Sequence, residues 1–91
     1  MSVTVRIPTQ LRELTSGAAE VQLDGGSVSE VLNALDGAHP GLAARIFDED
    51  GSLRRFVNVF VNDEDIRFLD GVNTTLSGGE TLSIVPAVAG G

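Results

Sequence analysis

Between Arg55 and Asn62 the chain alternates two sets of side chains: Val57, Val59 and Val61 fall on one side, and Phe56, Asn58, Phe60 and Asn62 on the other. A period of two is the signature of a β-strand, and β-branched and aromatic residues suit its pleated surface best. This strand is therefore apolar on both faces, which leaves few folds open to it. The 91 residues make one domain, able to withdraw roughly 60 to 65% of its unfolded surface from water, with no material for a second core. The valines are expected to face that core, which puts Phe56 and Phe60 on the open side of the sheet. Two readings stand for them: a docking patch shared with Val85, which has the same outward parity on the last strand, or local cover by neighbouring side chains.

The other segments supply the rest of the sheet. Val3, Val5 and Ile7 alternate with Thr4 and Arg6 in a first strand that Pro8 ends. The stretch from Gln10 to Gly17 is too short for a full helix, but one turn in a long loop can tuck Leu11 and Leu14 against the sheet. Alternation resumes from Glu20 to Leu23, and Asp24-Gly25-Gly26 closes a second strand expected to run antiparallel to the first. Ser27-Val28-Ser29-Glu30 reads as a capping box, the Ser27 hydroxyl accepting the Glu30 amide and the Glu30 carboxylate returning to the Ser27 amide. Val28, Val31, Leu32 and Leu35 then form one apolar helical stripe, which Asp36-Gly37 is expected to stop. Full burial of Val31 or Leu32 is worth about 1.5 to 3 kcal/mol each.

His39-Pro40-Gly41 is a turn, and Leu42 to Phe47 suits a short second helix over one end of the core. Asn62 to Asp65 reads as a solvated polar turn into a short strand around Ile66 and Phe68. Turns at Asp70-Gly71 and Ser77-Gly78-Gly79-Glu80 lead to the last strand, where Leu82 and Ile84 alternate with Thr81 and Ser83. The order of elements calls for an α+β domain: one mixed sheet of about five strands, with the main helix packed on one face and a short second helix. Right-handed crossover lets the last strand lie parallel to the first, beside it in the centre. That is a single-domain β-grasp, ubiquitin-like arrangement, expected over residues 1–86.

Composition excludes several kinds of chemistry. Without cysteine there is no disulfide, thiolate metal site or thiol nucleophile. Thirteen acidic residues against six arginines, with no lysine, give a net charge of −7, which disfavours nucleic acid and anionic membranes and favours partners with basic surfaces. A chain without lysine also cannot be built into lysine-linked polymers of itself. No apolar run approaches the ~18 residues of a membrane span, and the opening Met-Ser-Val-Thr-Val alternates like a strand and not like a signal peptide, so a cytoplasmic location is expected. His39 stands alone and reads as a surface residue, and Asp48-Glu49-Asp50 lacks the ligand spacing of a calcium loop. No acid, base and nucleophile converge on one site, so the chain is expected not to be an enzyme and to bind no cofactor or metal itself.

Beyond the last strand the chain becomes almost featureless. Pro86 removes the donor that further sheet pairing would need, and Ala87-Val88-Ala89-Gly90-Gly91 adds little width. Residues 87–91 are expected to form a flexible C-terminal Gly-Gly arm that fits a narrow tunnel in another protein, with Pro86 and Val88 among the groups the partner grips. An ordinary frayed terminus would look similar.

Taken together, Leu11-Arg12-Glu13-Leu14, the valine strand with its turn at Asn62-Asp63-Glu64-Asp65, the Gly78-Gly79-Glu80 turn and the final Pro86-Ala87-Val88-Ala89-Gly90-Gly91 resemble the ubiquitin-like sulfur carriers, the ThiS/MoaD-like family. The resemblance covers essentially the whole chain and looks closest to the branch serving cysteine biosynthesis. It implies that Gly90 and Gly91 form a sulfur-carrying terminus. An E1-like adenylating and sulfur-transferring enzyme would activate the Gly91 carboxylate with ATP and Mg and convert it to a thiocarboxylate. It further implies delivery to an acceptor such as a cysteine synthase, and release of cysteine by a metallopeptidase. Other branches supply thiazole, molybdopterin or thiosugar. A protein modifier conjugated through Gly91, or a plain β-grasp binding module using Phe56, Phe60 and Val85, would carry much the same residues.

Overall fold

The structure, a computed structural model, describes residues 2–55 and 57–86. The sites expected at Phe56, Val88, Gly90 and Gly91 lie outside the described residues.

Five strands form one mixed sheet: β1 (Ser2–Arg6), β2 (Glu20–Asp24), β3 (Val57–Val61), β4 (Glu64–Asp65) and β5 (Thr81–Pro86), in the order β2-β1-β5-β3-β4. β1 runs antiparallel to β2 and parallel to β5, and β3 is antiparallel to both β5 and β4. The last strand is thus central and parallel to the first, as expected from a right-handed crossover. Helix α1 (Val28–Ala38) lies across one face and α2 (Leu42–Ile46) closes one end. Alternation places Val3, Val5, Val57, Val59, Leu82 and Ile84 on the helix side, where they meet Val28, Val31, Leu32 and Leu35. All four of these helix residues are fully buried. Val61 is only half-buried at the sheet's border, although it packs against the same core.

Several local expectations are corrected. The Ser27 hydroxyl does accept the Glu30 amide at 3.2 Å, but Glu30 Oε1 accepts from Gly26 N at 2.9 Å and not from Ser27. α1 runs through Gly37 to Ala38, because the His39 amide donates to Leu35 O at 2.8 Å and completes one more turn. Asp36 stops nothing. Its Oδ1 accepts from Gly41 N at 3.1 Å and Ala43 N at 3.0 Å, and so caps the start of α2. His39 is half-buried and not freely solvated. The segment Thr9–Thr15 is a 3-10 helix, longer than the single turn expected, with Leu11 and Thr15 buried. β3 begins at Val57 and ends at Val61, inside the expected range.

The expected strand around Ile66 and Phe68 is a 3-10 turn, Ile66–Phe68. The hairpin before it turns on Asn62 and Asp63 with left-handed φ of 48° and 74°, the two-residue turn whose twist matches antiparallel strands. So tight a turn leaves only Glu64 and Asp65 paired with β3. The Asp65 side chain then accepts the Arg67 amide at 2.8 Å and starts the turn. Ile66 points inward at 1% exposure while Phe68 stands 87% exposed.

Gly25 is required by close approach. A Cβ there would lie 2.7 Å from Val31 Cγ2 and 3.0 Å from Val31 N, so only glycine lets β2 hand over to α1 this tightly.

Candidate functional site

The helix-free face of the sheet carries the remaining side chains of each strand. Across β3 and β5, Phe60 stands opposite Ser83 and Asn58 opposite Val85 on this face, while Pro86 pairs with Val57 on the helix side. Arg6 of β1 stands beside Ser83, and Glu20 of β2 beside Arg6. One row of this face therefore reads Glu20, Arg6, Ser83, Phe60, Asp65 across all five strands. The next row brings Val85 beside Asn58, so Phe60 and Val85 are diagonal neighbours, a relation that leaves large side chains within reach of each other. Val85 is 45% exposed, whereas Phe60 and Pro86 are half-buried. Phe60 lies on the expected face, but its neighbours cover part of it.

That cover has an identifiable frame. The Arg67 guanidinium donates to Asn58 Oδ1 and, through Nη2, to Val57 O at 3.1 Å, with Asp65 Oδ2 3.8 Å away. It ties the turn after β4 back onto β3 next to the patch. Sequence reasoning missed this tie and also the exposed Phe68 and Leu69 beyond it, because assigning Phe68 to a strand left no reason to expect it free.

Where β5 ends, a groove of about 570 Å³ opens between it, the end of β1 and the Thr9–Thr15 segment. Arg6, Pro8, Arg12, Glu20, Val85 and Pro86 are among its lining residues. The Arg12 Nε–H donates to Ile7 O at 3.1 Å, which fixes the guanidinium plane. Arg6 Nε lies 4.0 Å from Glu20 Oε2, both side chains well exposed, a pair worth little by itself. Sequence reasoning did not assemble this groove. The available signal was a pair of arginines flanking the Pro8 break.

The perturbed carboxylates lie elsewhere. The amides of Ser77 and Gly78 hold the Glu80 carboxyl below its ordinary range, and the Ser52 amide does the same for Asp50. Both serve turns. Among the described residues there is no group of three His, Asp or Glu that could hold a metal ion, and no helix is long and apolar enough to cross a membrane. The geometry offers a groove beside Pro86, the last described residue of β5.

A β-grasp sheet whose central last strand runs on toward a Gly-Gly end defines a ubiquitin-like carrier. The description "ThiS family" matches residues 5–91, and the chain belongs to the ThiS family of ubiquitin-like sulfur carriers. It is 44% identical to the sulfur carrier protein CysO of Mycobacterium tuberculosis over the full length of both chains. In the crystal structure of the Amycolatopsis orientalis BexX/CysO complex, a chain 47% identical superposes with a TM-score of 0.92, over 98% of this chain and 99% of that one. Haloferax volcanii SAMP1 is 32% identical over the whole of both chains, with a TM-score of 0.84. Relatives named sulfur carrier proteins are substrates of partner enzymes, and this chain likewise is a carrier and not an enzyme.

Proposed function

We propose that residues 87–91 form the working arm of the carrier and that Gly91 receives and hands on the sulfur atom. An α-carboxylate with a pKa near ~3.5 is ionised at neutral pH, so it can attack the α-phosphate of ATP but is inert toward sulfur nucleophiles. An E1-like enzyme using ATP and Mg supplies the activation. The Gly91 carboxylate oxygen bonds to the α-phosphorus and pyrophosphate leaves. A sulfide or enzyme persulfide then attacks the acyl carbon and AMP departs with that oxygen. With a persulfide, reductive cleavage of the remaining S–S bond by an enzyme thiol leaves the thiocarboxylate. The domain's part is to be held through Phe56, Phe60, Val85 and Pro86 while Val88 and the glycines enter the partner.

The observation that carries this reading is full-length identity of 44% to CysO. The name of that relative favours cysteine biosynthesis: transfer to an activated serine in a cysteine synthase, then release of cysteine from Gly91 by a metallopeptidase. The BexX/CysO complex supports docking onto a separate partner protein. Thiazole, molybdopterin and thiosugar synthesis remain acceptor chemistries for the same arm.

Incubation with ATP, a sulfur source and a candidate activating enzyme, followed by mass spectrometry of the C-terminal peptide, tests it. The expected product has one oxygen replaced by sulfur at Gly91, and removing Gly90 and Gly91 abolishes it. A second reading is favoured by a relative named small archaeal modifier protein 3, 41% identical over 75% of this chain. In that case intact-protein mass from cells shows a ladder of isopeptide conjugates in place of the sulfur-bearing carrier.

A further inference from the structure

The net charge of −7 points to a basic partner, but the charge is not spread evenly. The strand end from which the arm departs is ringed by arginines. Arg6 and Arg12 line the groove beside Pro86. Arg67 donates to Val57 O, and Val57 is the residue paired with Pro86. Arg54 and Arg55 immediately precede β3, with the Val57 amide donating to Arg54 O at 3.1 Å. At the opposite end of the sheet, where β5 begins, the Gly79 amide meets Ser2 O, Ser2 is paired with Asp24, and the Asn62 amide meets Thr81 O. Asp24, Glu80, Asp63 and Glu64 are spread along that end, from β2 at one edge to β4 at the other.

Within the groove, Arg12 is the organised member. Its Nε–H is held by Ile7 O, while Nη1 and Nη2 have no partner among the described residues. The groove's carboxylate, Glu20, lies at 4.0 Å from Arg6 and is not ion-paired with Arg12. A guanidinium held in its plane with its outer edge free is a preformed receptor for one carboxylate, through two parallel N–H···O bonds.

We infer that this groove receives an Asp or Glu side chain from a loop of the protein that takes in the arm, paired with the Arg12 fork and flanked by Arg6. The inference rests on the proposed function for the identity of that protein. It reverses locally what the net charge implies: Arg6, Arg54 and Arg67 each have a carboxylate of this chain within 4.0 Å, and Arg12 is the cation of the groove left for a carboxylate of the partner.

The groove is tested without any enzyme by NMR of the guanidinium Nε–H signals of the full chain, titrated with acetyl-Gly-Glu-Gly-amide. Acetyl-Gly-Gln-Gly-amide and sodium sulfate at matched ionic strength are the comparison arms. The expected result is movement of the Arg12 and Arg6 signals with the glutamate peptide alone, lost in Arg12→Gln and unchanged in Asp24→Asn at the far pole. In the activation assay, Arg12→Lys keeps the charge but loses the fork, and it is expected to raise KM about tenfold with kcat retained. Arg6→Ala, which breaks no backbone tie, is expected to raise KM about threefold. An equal response to the glutamine peptide or to sulfate, or wild-type KM in both variants, overturns the inference. If the wild-type chain gains no sulfur at Gly91 the proposed function fails, while the titration still decides the groove.

Discussion

Phe60 and Val85 are diagonal neighbours on the helix-free face of the sheet, one on β3 and one on β5, because Phe60 pairs with Ser83 and Asn58 with Val85. The apolar pair sits beside the last residues of β5. On the proposed function, a partner that takes in residues 87–91 covers it.

Phe60→Asp and Val85→Asp are each expected to weaken binding to the activating enzyme about tenfold, the effect of losing roughly 1.4 kcal/mol at an interface. The fold should survive. Val85 is 45% exposed, and a surface loss near 1 kcal/mol lowers Tm by about 4–8 °C in a domain of this size. Calorimetry beside a binding titration separates the two effects, and a much larger fall in Tm for Phe60→Asp would assign that ring to the core.

Gly25→Ala should destabilise the domain without touching the arm. The added carbon meets Val31 Cγ2 at 2.7 Å, and because Val31 is fully buried it can move only by displacing the core. Overpacking of this kind costs about 1–3 kcal/mol. Denaturant unfolding should show a lower midpoint with an unchanged slope.

Asp36→Ala removes the acceptor that holds both Gly41 N and Ala43 N. Loss of a helix cap costs about 1 kcal/mol. Hydrogen exchange should quicken across α2 and leave the sheet amides protected, since α2 holds one end of the core and β5 holds its centre.

Glu80 confers a pH dependence of known sign. Its two oxygens accept from Ser77 N and Gly78 N, both at 2.7 Å, which lowers its pKa in the folded state below the unfolded value. The contribution is present above the ordinary glutamate value, roughly 4.3, and is lost as pH falls through the lower folded value. Thermal melts from pH 7 downward should show Glu80→Gln less stable at neutral pH and with a shallower acid decline than the parent chain.

Much of this architecture was legible because its signals are local. The alternation of Val3, Val5 and Ile7 and the stripe from Val28 to Leu35 each specify a face, and one covered sheet face was all the chain could make. What escaped was decided by contacts distant in sequence. Gly37 stays helical because the His39 amide still finds Leu35 O and Asp36 is engaged elsewhere. Phe68 is exposed because Arg67 reaches back to Asn58 and Val57. The Arg6 and Arg12 groove exists only once β1, β5 and the 3-10 segment are assembled.

The place of β5 between β1 and β3 also bears on biosynthesis. A ribosome delivers this strand after every other element described, and until it emerges the two halves of the sheet have no common neighbour to join them. A chain broken off before Thr81 therefore lacks the strand that joins the two halves of the sheet, so the domain is expected to close only once the final stretch has been made.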